Sequence, residues 1–123
     1  VALRISEPLS RSDDAVVAGF PGGGPLALIP ARVRSVSETS GIDIYGKNPV
    51  TREIYTLSAD IKKGDSGAPM LALDGSVAGL IFAASAIDDQ VGYALSANEF
   101  MVAVNSVYSD MPAVSTGDCA GVR

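Results

Sequence analysis

The chain contains no histidine, no tryptophan, a single cysteine and only 6% aromatic residues among its 123 positions. Without histidine, neither an imidazole general base nor an imidazole metal ligand can come from this chain. The lone cysteine, Cys119, cannot close an internal disulfide. Long apolar runs are also missing: the longest nearly apolar stretch, 77–87, is interrupted by Gly79 and Ser85. It falls well short of the ~20 residues that cross a bilayer. Positive charge is scarce, with 9 Lys plus Arg against 14 Asp plus Glu and a net charge of -5. A nucleic-acid backbone or an anionic membrane surface is therefore repelled, and neither is an expected partner. There is no Met start and no signal-peptide pattern at Val1, so the chain is expected to be a piece of a longer protein.

What is present is a core-forming composition, 47% hydrophobic against 19% charged. That excludes a disordered segment and is enough for one domain, or for half of a two-barrel domain of roughly 200–250 residues. Apolar alternation predicts strands over 1–5, 14–20, 26–37, 50–57, 69–73, 76–84 and 91–95, with a polar loop over 38–48. Asp74-Gly75 predicts a two-residue hairpin turn, because both residues tolerate positive φ. After residue 95 the period changes. Ser96 and Glu99 have capping-box spacing, and Phe100, Val104 and Val107 recur as one apolar helical face. A mostly β fold follows: an antiparallel six-stranded β-barrel with one C-terminal helix over 1–108, and a small polar tail over 109–123.

Cofactor motifs are missing. The Gly-rich 21–25 segment has no Gly-Lys-Ser/Thr and reads as a turn. Asp13-Asp14 and Asp88-Asp89 lack the spacing of a calcium loop. No nicotinamide, flavin, haem or zinc signature occurs, so neither a cofactor nor a metal is expected.

The segment that carries chemistry is Gly64-Asp65-Ser66-Gly67-Ala68-Pro69. At ordinary residue frequencies such a motif arises by chance in a chain of this length with a probability of ~10⁻⁴. A plain glycine turn is the bland alternative. A serine in a Gly-rich loop is a nucleophile when the same loop aims two backbone N–H groups at the attacked carbonyl, and Gly64 lets an amide approach closely. The Gly-x-Ser-x-Gly elbow of α/β-hydrolases does not fit, since Ala68 stands at the last position and strands follow.

These residues, with the hairpin Leu73-Asp74-Gly75-Ser76, the strand Gly79-Leu80-Ile81-Phe82 and the closing Gly92-Tyr93-Ala94-Leu95 plus helix, resemble the C-terminal barrel of trypsin-like, chymotrypsin-fold serine proteases. Gly19-Phe20-Pro21-Gly22-Gly23-Gly24, Asp43-Ile44-Tyr45-Gly46 and Thr51-Arg52-Glu53-Ile54-Tyr55 narrow the resemblance to the membrane-anchored periplasmic proteases of actinobacteria, the MarP type. The resemblance implies Ser66 as nucleophile, the Gly64 and Ser66 amides as oxyanion donors, and Asp65 as loop support. It also implies that Phe82, Ala83, Ala84 and Ser85 pair with a substrate backbone, and that a specificity pocket lies between Asp60 to Lys63 and the segment around Ala84 and Gly92. Asp60 either selects a basic side chain or is a solvated loop residue.

Ala68 departs from the Gly usual in the family. The base histidine and orienting aspartate belong to the family's first barrel, so this chain alone is expected to be inactive. The implied partners are a peptide or protein substrate and the missing barrel, with a dimer through exposed half-domain surface as the alternative. The implied location is extracytoplasmic, in a membrane-anchored parent, with Cys119 bridged to the missing half. The rival readings are a pseudo-protease or peptide-binding β module and an inert processing fragment.

Overall fold

Six strands form in the computed structural model, which describes residues 2–42, 45–107, 112–115 and 117–118. Strand β1 (Asp14–Gly19) turns Ala15 and Val17 inward, and β2 (Ala27–Ile42) runs antiparallel to it with Ile29 opposite Val17 and Ala31 opposite Ala15. Strand β3 (Pro49–Ser58) adds Tyr55 and Leu57 to the core, β4 (Pro69–Ala72) adds Met70, β5 (Val77–Ala84) adds Ala78 and Ile81, and β6 (Val91–Ser96) adds Ala94. The order around the sheet is β1-β2-β3-β6-β5-β4, and β4 pairs back onto β1 to close a barrel. Closure removes the exposed edges that an open sheet would present. The interior is narrow, so small inward residues (Ala15, Ala31, Ala78, Ala94) share it with large ones (Tyr55, Leu57, Met70, Ile81). The Tyr55 hydroxyl, although buried, accepts the Leu9 amide at 3.0 Å, and burial pushes the phenol pKa up.

Helix α1 (Ala97–Val107) leaves the end of β6 and touches β3, β5 and β6. Ala97 is buried and Phe100 and Val104 are half-buried, while Val107 faces solvent, so the predicted apolar stripe meets the barrel along only part of its length. The capping box does not form. Glu99 accepts the Glu53 amide at 3.1 Å and lies 3.6 Å from Arg52, which ties the helix to β3 instead of to its own first turn. The Ser96 hydroxyl is buried without a partner among the described residues.

Three other expectations are corrected. The predicted first strand reduces to a parallel bridge between Ile5 and Val77, flanked by Ser6 and Arg4 backbone bonds to Val77; Val1 lies outside the described residues. The polar loop predicted over 38–48 is strand over 38–42: β2 and β3 stay paired from Arg32↔Ser58 to Ile42↔Pro49, so a two-stranded ribbon projects past the barrel. Both faces of that ribbon meet solvent, so its sequence shows no burial alternation. The β4–β5 turn spans three residues rather than two, because Ala72 bonds Ser76 across it and only Gly75 (φ 86°) takes the left-handed conformation. Cys119 and most of the tail fall outside the described residues.

Asp74 locks this turn. Its Oδ1 accepts the Ser76 hydroxyl at 2.5 Å and the Ser76 amide at 2.9 Å. The hydroxyl bond is the largest cause that holds the Asp74 pKa below the ordinary carboxylate range, with the amide bond next and Arg4 a smaller contributor. A carboxylate whose pKa is depressed on folding contributes stability above its unfolded pKa, ~3.9, and loses it as pH falls through the folded value. Urea titrations should therefore show Asp74→Asn less stable than the parent at neutral pH, with the difference closing in acid below the ordinary Asp pKa. A difference that is constant across this window would show that the carboxylate charge does not hold the turn.

Candidate active site

Between β3 and β4 the chain crosses one end of the barrel as a loop, and Ser66 sits at its crest, exposed. Gly64 (φ 102°) and Gly67 (φ 87°), on either side of the Asp65-Ser66 pair, adopt backbone conformations that side-chain-bearing residues rarely take. A Cβ on Gly64 would also lie 3.0 Å from the Gly22 amide nitrogen, because the Pro21–Gly23 turn packs directly behind the loop and Gly22 donates to Lys63 O at 2.8 Å. The second Gly-rich segment of the sequence is thus the back support of the first.

The loop's amides divide into two sets. Asp65 N donates to Lys62 O at 3.0 Å, Gly67 N to Ile81 O at 2.7 Å and Ala68 N to Asp65 O at 2.9 Å. The Gly64 and Ser66 amides have no backbone acceptor among the described residues. The Gly64 amide and that of Ser66 itself are therefore without an acceptor among the described residues, as is the Lys63 amide, while the Asp65, Gly67 and Ala68 amides are fixed. The hydroxyl is 3.5 Å from Phe82 O, a contact too long to hold it strongly.

Asp65 lies underneath and is completely buried. Its Oδ2 accepts the Lys62 amide at 2.9 Å, and its Oδ1 has no partner among the described residues. The end of β1 passes so close that a Cβ on Gly19 would stand 2.5 Å from Oδ1.

On the far side of Ser66, β4 pairs with β5 only as far as Pro69↔Leu80, whereas β5 stays paired to β6 through Ala84↔Gly92. One edge of Phe82, Ala83 and Ala84 is therefore left without a strand. Ser85 ends the segment: its amide donates to Val91 O, and its hydroxyl accepts the Ile87 and Asp88 amides at 3.2 Å. Asp60 forms an exposed 3.0 Å pair with Lys62, and Lys63 is exposed. Ile61 fills the space against Gly92, where a Cβ would run into its side chain.

One residue beside Ser66 is not evident in the sequence. Phe20, half exposed, lines a shallow cavity of about 260 Å³ together with Gly64, Ser66 and Pro69. The only local signal is a large aromatic placed directly before a Pro-Gly-Gly-Gly turn. The close approach at Gly19 makes a sharp test: Gly19→Ala should displace Asp65 and cost about 1–3 kcal/mol of stability in a denaturant titration. Parental stability in this variant would show that the loop does not depend on that approach.

Comparison with known proteins places the fold and the family. Residues 1–80 match the model of the trypsin-like peptidase domain. Over 115 residues the chain is 43% identical to serine proteases MT3772 and Rv3671c of two Mycobacterium tuberculosis strains; that covers 93% of this chain but 29% of each relative. The crystal structure of the active form of the Rv3671c protease superposes with a TM-score of 0.82 at 42% identity, covering 95% of this chain and 52% of the other. The HtrA-type protease AlgW with a decapeptide shares the fold at 17% identity, with a TM-score of 0.68. A six-stranded barrel that ends in a Gly-Asp-Ser-Gly crest, matched over 80 residues by the family model, belongs to the trypsin-like serine proteases.

Proposed function

We propose that Ser66 is the nucleophile of a serine endopeptidase whose general base and orienting acid are supplied by a companion β-barrel outside these 123 residues. The observation that carries this reading is that the Gly64 and Ser66 amides have no acceptor among the described residues in the loop that exposes the Ser66 hydroxyl. Such a pair can receive the negative charge that develops on a carbonyl oxygen under attack, and it needs no reorganisation to do so. Ser66 Oγ adds to the peptide carbonyl while its proton passes to the base on the companion barrel. The resulting oxyanion is held by the two amides. Collapse breaks the C–N bond, the base returns the proton to the departing amine, and water then hydrolyses the acyl-serine by the same route. The unpaired edge at Phe82, Ala83 and Ala84 suits a substrate added as a strand.

The sequence has no histidine, and Asp65 is buried under the loop with Oδ2 already bonded to Lys62. A base must therefore approach from outside. Phe82 is 41% exposed, beside a cavity of about 610 Å³ formed by the β2–β3 ribbon and lined by Ile42, Tyr45, Val50, Ile54 and Leu95. This apolar face starts at the residue whose carbonyl faces Ser66, so a barrel seated on it would bring its own groups next to the nucleophile. The size of the relatives supports that arrangement, since this chain spans about half of the solved Rv3671c proteases it superposes on. An extracytoplasmic, membrane-anchored parent and a Cys119 bridge to the companion barrel belong to the same proposal and rest on the sequence resemblance.

In the longer protein, Ser66→Ala should lower kcat by at least about a thousandfold and leave the melting curve in place. Turnover retained in that variant would overturn the nucleophile assignment. Peptide binding without turnover in both parent and variant would favour a pseudo-protease.

A further inference from the structure

A second concavity, of about 660 Å³, opens on the outer face of β2, β3 and β6, away from Ser66. Three of the nine basic residues of this net-negative chain, Arg11, Arg32 and Arg34, line it, with the hydroxyls of Ser35, Thr56 and Ser58 between them. The backbone gathers these residues in two ways. Ser12 adopts φ 76°, unusual for a side-chain-bearing residue, and its amide donates to Val33 O at 2.8 Å, which pins Arg11 against β2. A bulge between Val33 and Ser35 leaves Arg34 without a partner on β3.

The charges are not all free. Arg32 Nε donates to Asp14 at 2.7 Å, an exposed pair that holds the Asp14 carboxyl below its usual range and leaves Arg32 neutralised. Asp88, the one carboxylate in the lining, accepts the Gln90 amide at 2.9 Å. Arg11 and Arg34 have no ion pair with any described residue. Two unpaired guanidinium groups beside a cluster of hydroxyl donors match a single carboxylate, to which arginine forms charge-assisted, often bidentate, bonds. An extended polyanion fits poorly, given the net charge of -5.

The position of the concavity relative to the nucleophile gives this chemistry a use. Ser85 belongs both to its rim and to the segment that begins at Phe82, beside Ser66. Three residues of extended chain span about 10 Å. Tyr93 lines the same cavity and packs its ring against Phe82 at 6.4 Å, so the wall runs without a break between the two sites. We propose that this cavity is a carboxylate-reading subsite, which takes an Asp or Glu side chain of a peptide bound along 82–85, three or four residues from the bond that Ser66 attacks. This inference rests on the endopeptidase reading, and its test separates the two.

Peptides that differ only in Glu, Gln or Lys at each position from two to five residues away from the cleaved bond are compared in the longer protein. At one of these positions Glu should exceed Gln by about tenfold in kcat/KM, chiefly through KM, and the preference should shrink as salt is raised. Arg11→Gln with Arg34→Gln should abolish the preference, and Arg4→Gln should keep it. An unchanged Glu/Gln ratio in the double variant, or no Glu preference at any position, overturns the subsite. Binding of the same peptides to the Ser66→Ala protein, followed by fluorescence anisotropy, reads the subsite without turnover. Equal binding of Glu and Gln peptides there overturns the subsite even where the parent protein cleaves peptides; a Glu preference there that the double variant loses supports it even where no turnover is seen.

Discussion

A buried carboxylate under an exposed hydroxyl sets the terms for one end of this molecule. Removing a charged side chain from water costs several kcal/mol unless its oxygens are bonded, so the chain around Asp65 must supply donors and exclude solvent together. The backbone does so for one oxygen only: the Lys62 amide meets Oδ2, Oδ1 has no partner among the described residues, and Ala68 N and Lys62 O tie Asp65's own peptide groups. The end of β1 closes the remaining side at Gly19, and the Pro21–Gly23 turn lies behind Gly64. With the loop committed from below, the Gly64 and Ser66 amides stay without an acceptor among the described residues, and the Ser66 hydroxyl has only a long 3.5 Å contact with Phe82 O. The glycines are there because the path over Asp65 requires positive φ at Gly64 and Gly67.

The barrel supports this arrangement by dividing its side chains between two faces. Inward positions hold a tight mixture of alanines and large apolar residues, while outward positions on β3, β5 and β6 carry Ile54, Phe82, Tyr93 and Leu95, which is more apolar surface than water contact alone would call for. The two uses of the outer face follow chain position. Around Phe82 and the ribbon it is apolar and suits a second barrel. Around Arg11 and Arg34 it is cationic and suits a carboxylate. Both regions border the 82–85 segment, so a peptide lying along that segment would be in contact with each.

Local requirements were the legible part of the sequence. The Gly64 to Pro69 motif could be read because a strained, Gly-dependent crest leaves its mark within six consecutive residues, and the strands that build the core could be read because they alternate. The β3 half of the ribbon is legible over 50–57, whereas its 38–42 half carries no alternation because neither face there is buried. The Asp74-Gly75 turn was found in the right place with the wrong length, since only Gly75 needs positive φ and the Asp74 side chain bonds forward to Ser76 instead. Ser96 and Glu99 have the spacing of a cap, yet Glu99 reaches β3, an outcome decided by residues more than 40 positions away. Phe20 beside Ser66 and the arginine-lined cavity are assembled from separate segments, and no local pattern announces either one.

The central claim of the proposal is that the unbonded Gly64 and Ser66 amides can receive an oxyanion beside Ser66, and that the base that activates the hydroxyl comes from outside this chain. The most direct measurement is the rate at which a fluorophosphonate labels Ser66 in the isolated 123-residue chain and in the longer protein, with the modified peptide identified by mass. The account predicts stoichiometric labelling at Ser66 in the longer protein and essentially none in the isolated chain, whose far-ultraviolet dichroism should still report a β fold. Labelling of the folded isolated chain at the same rate as the longer protein would contradict it.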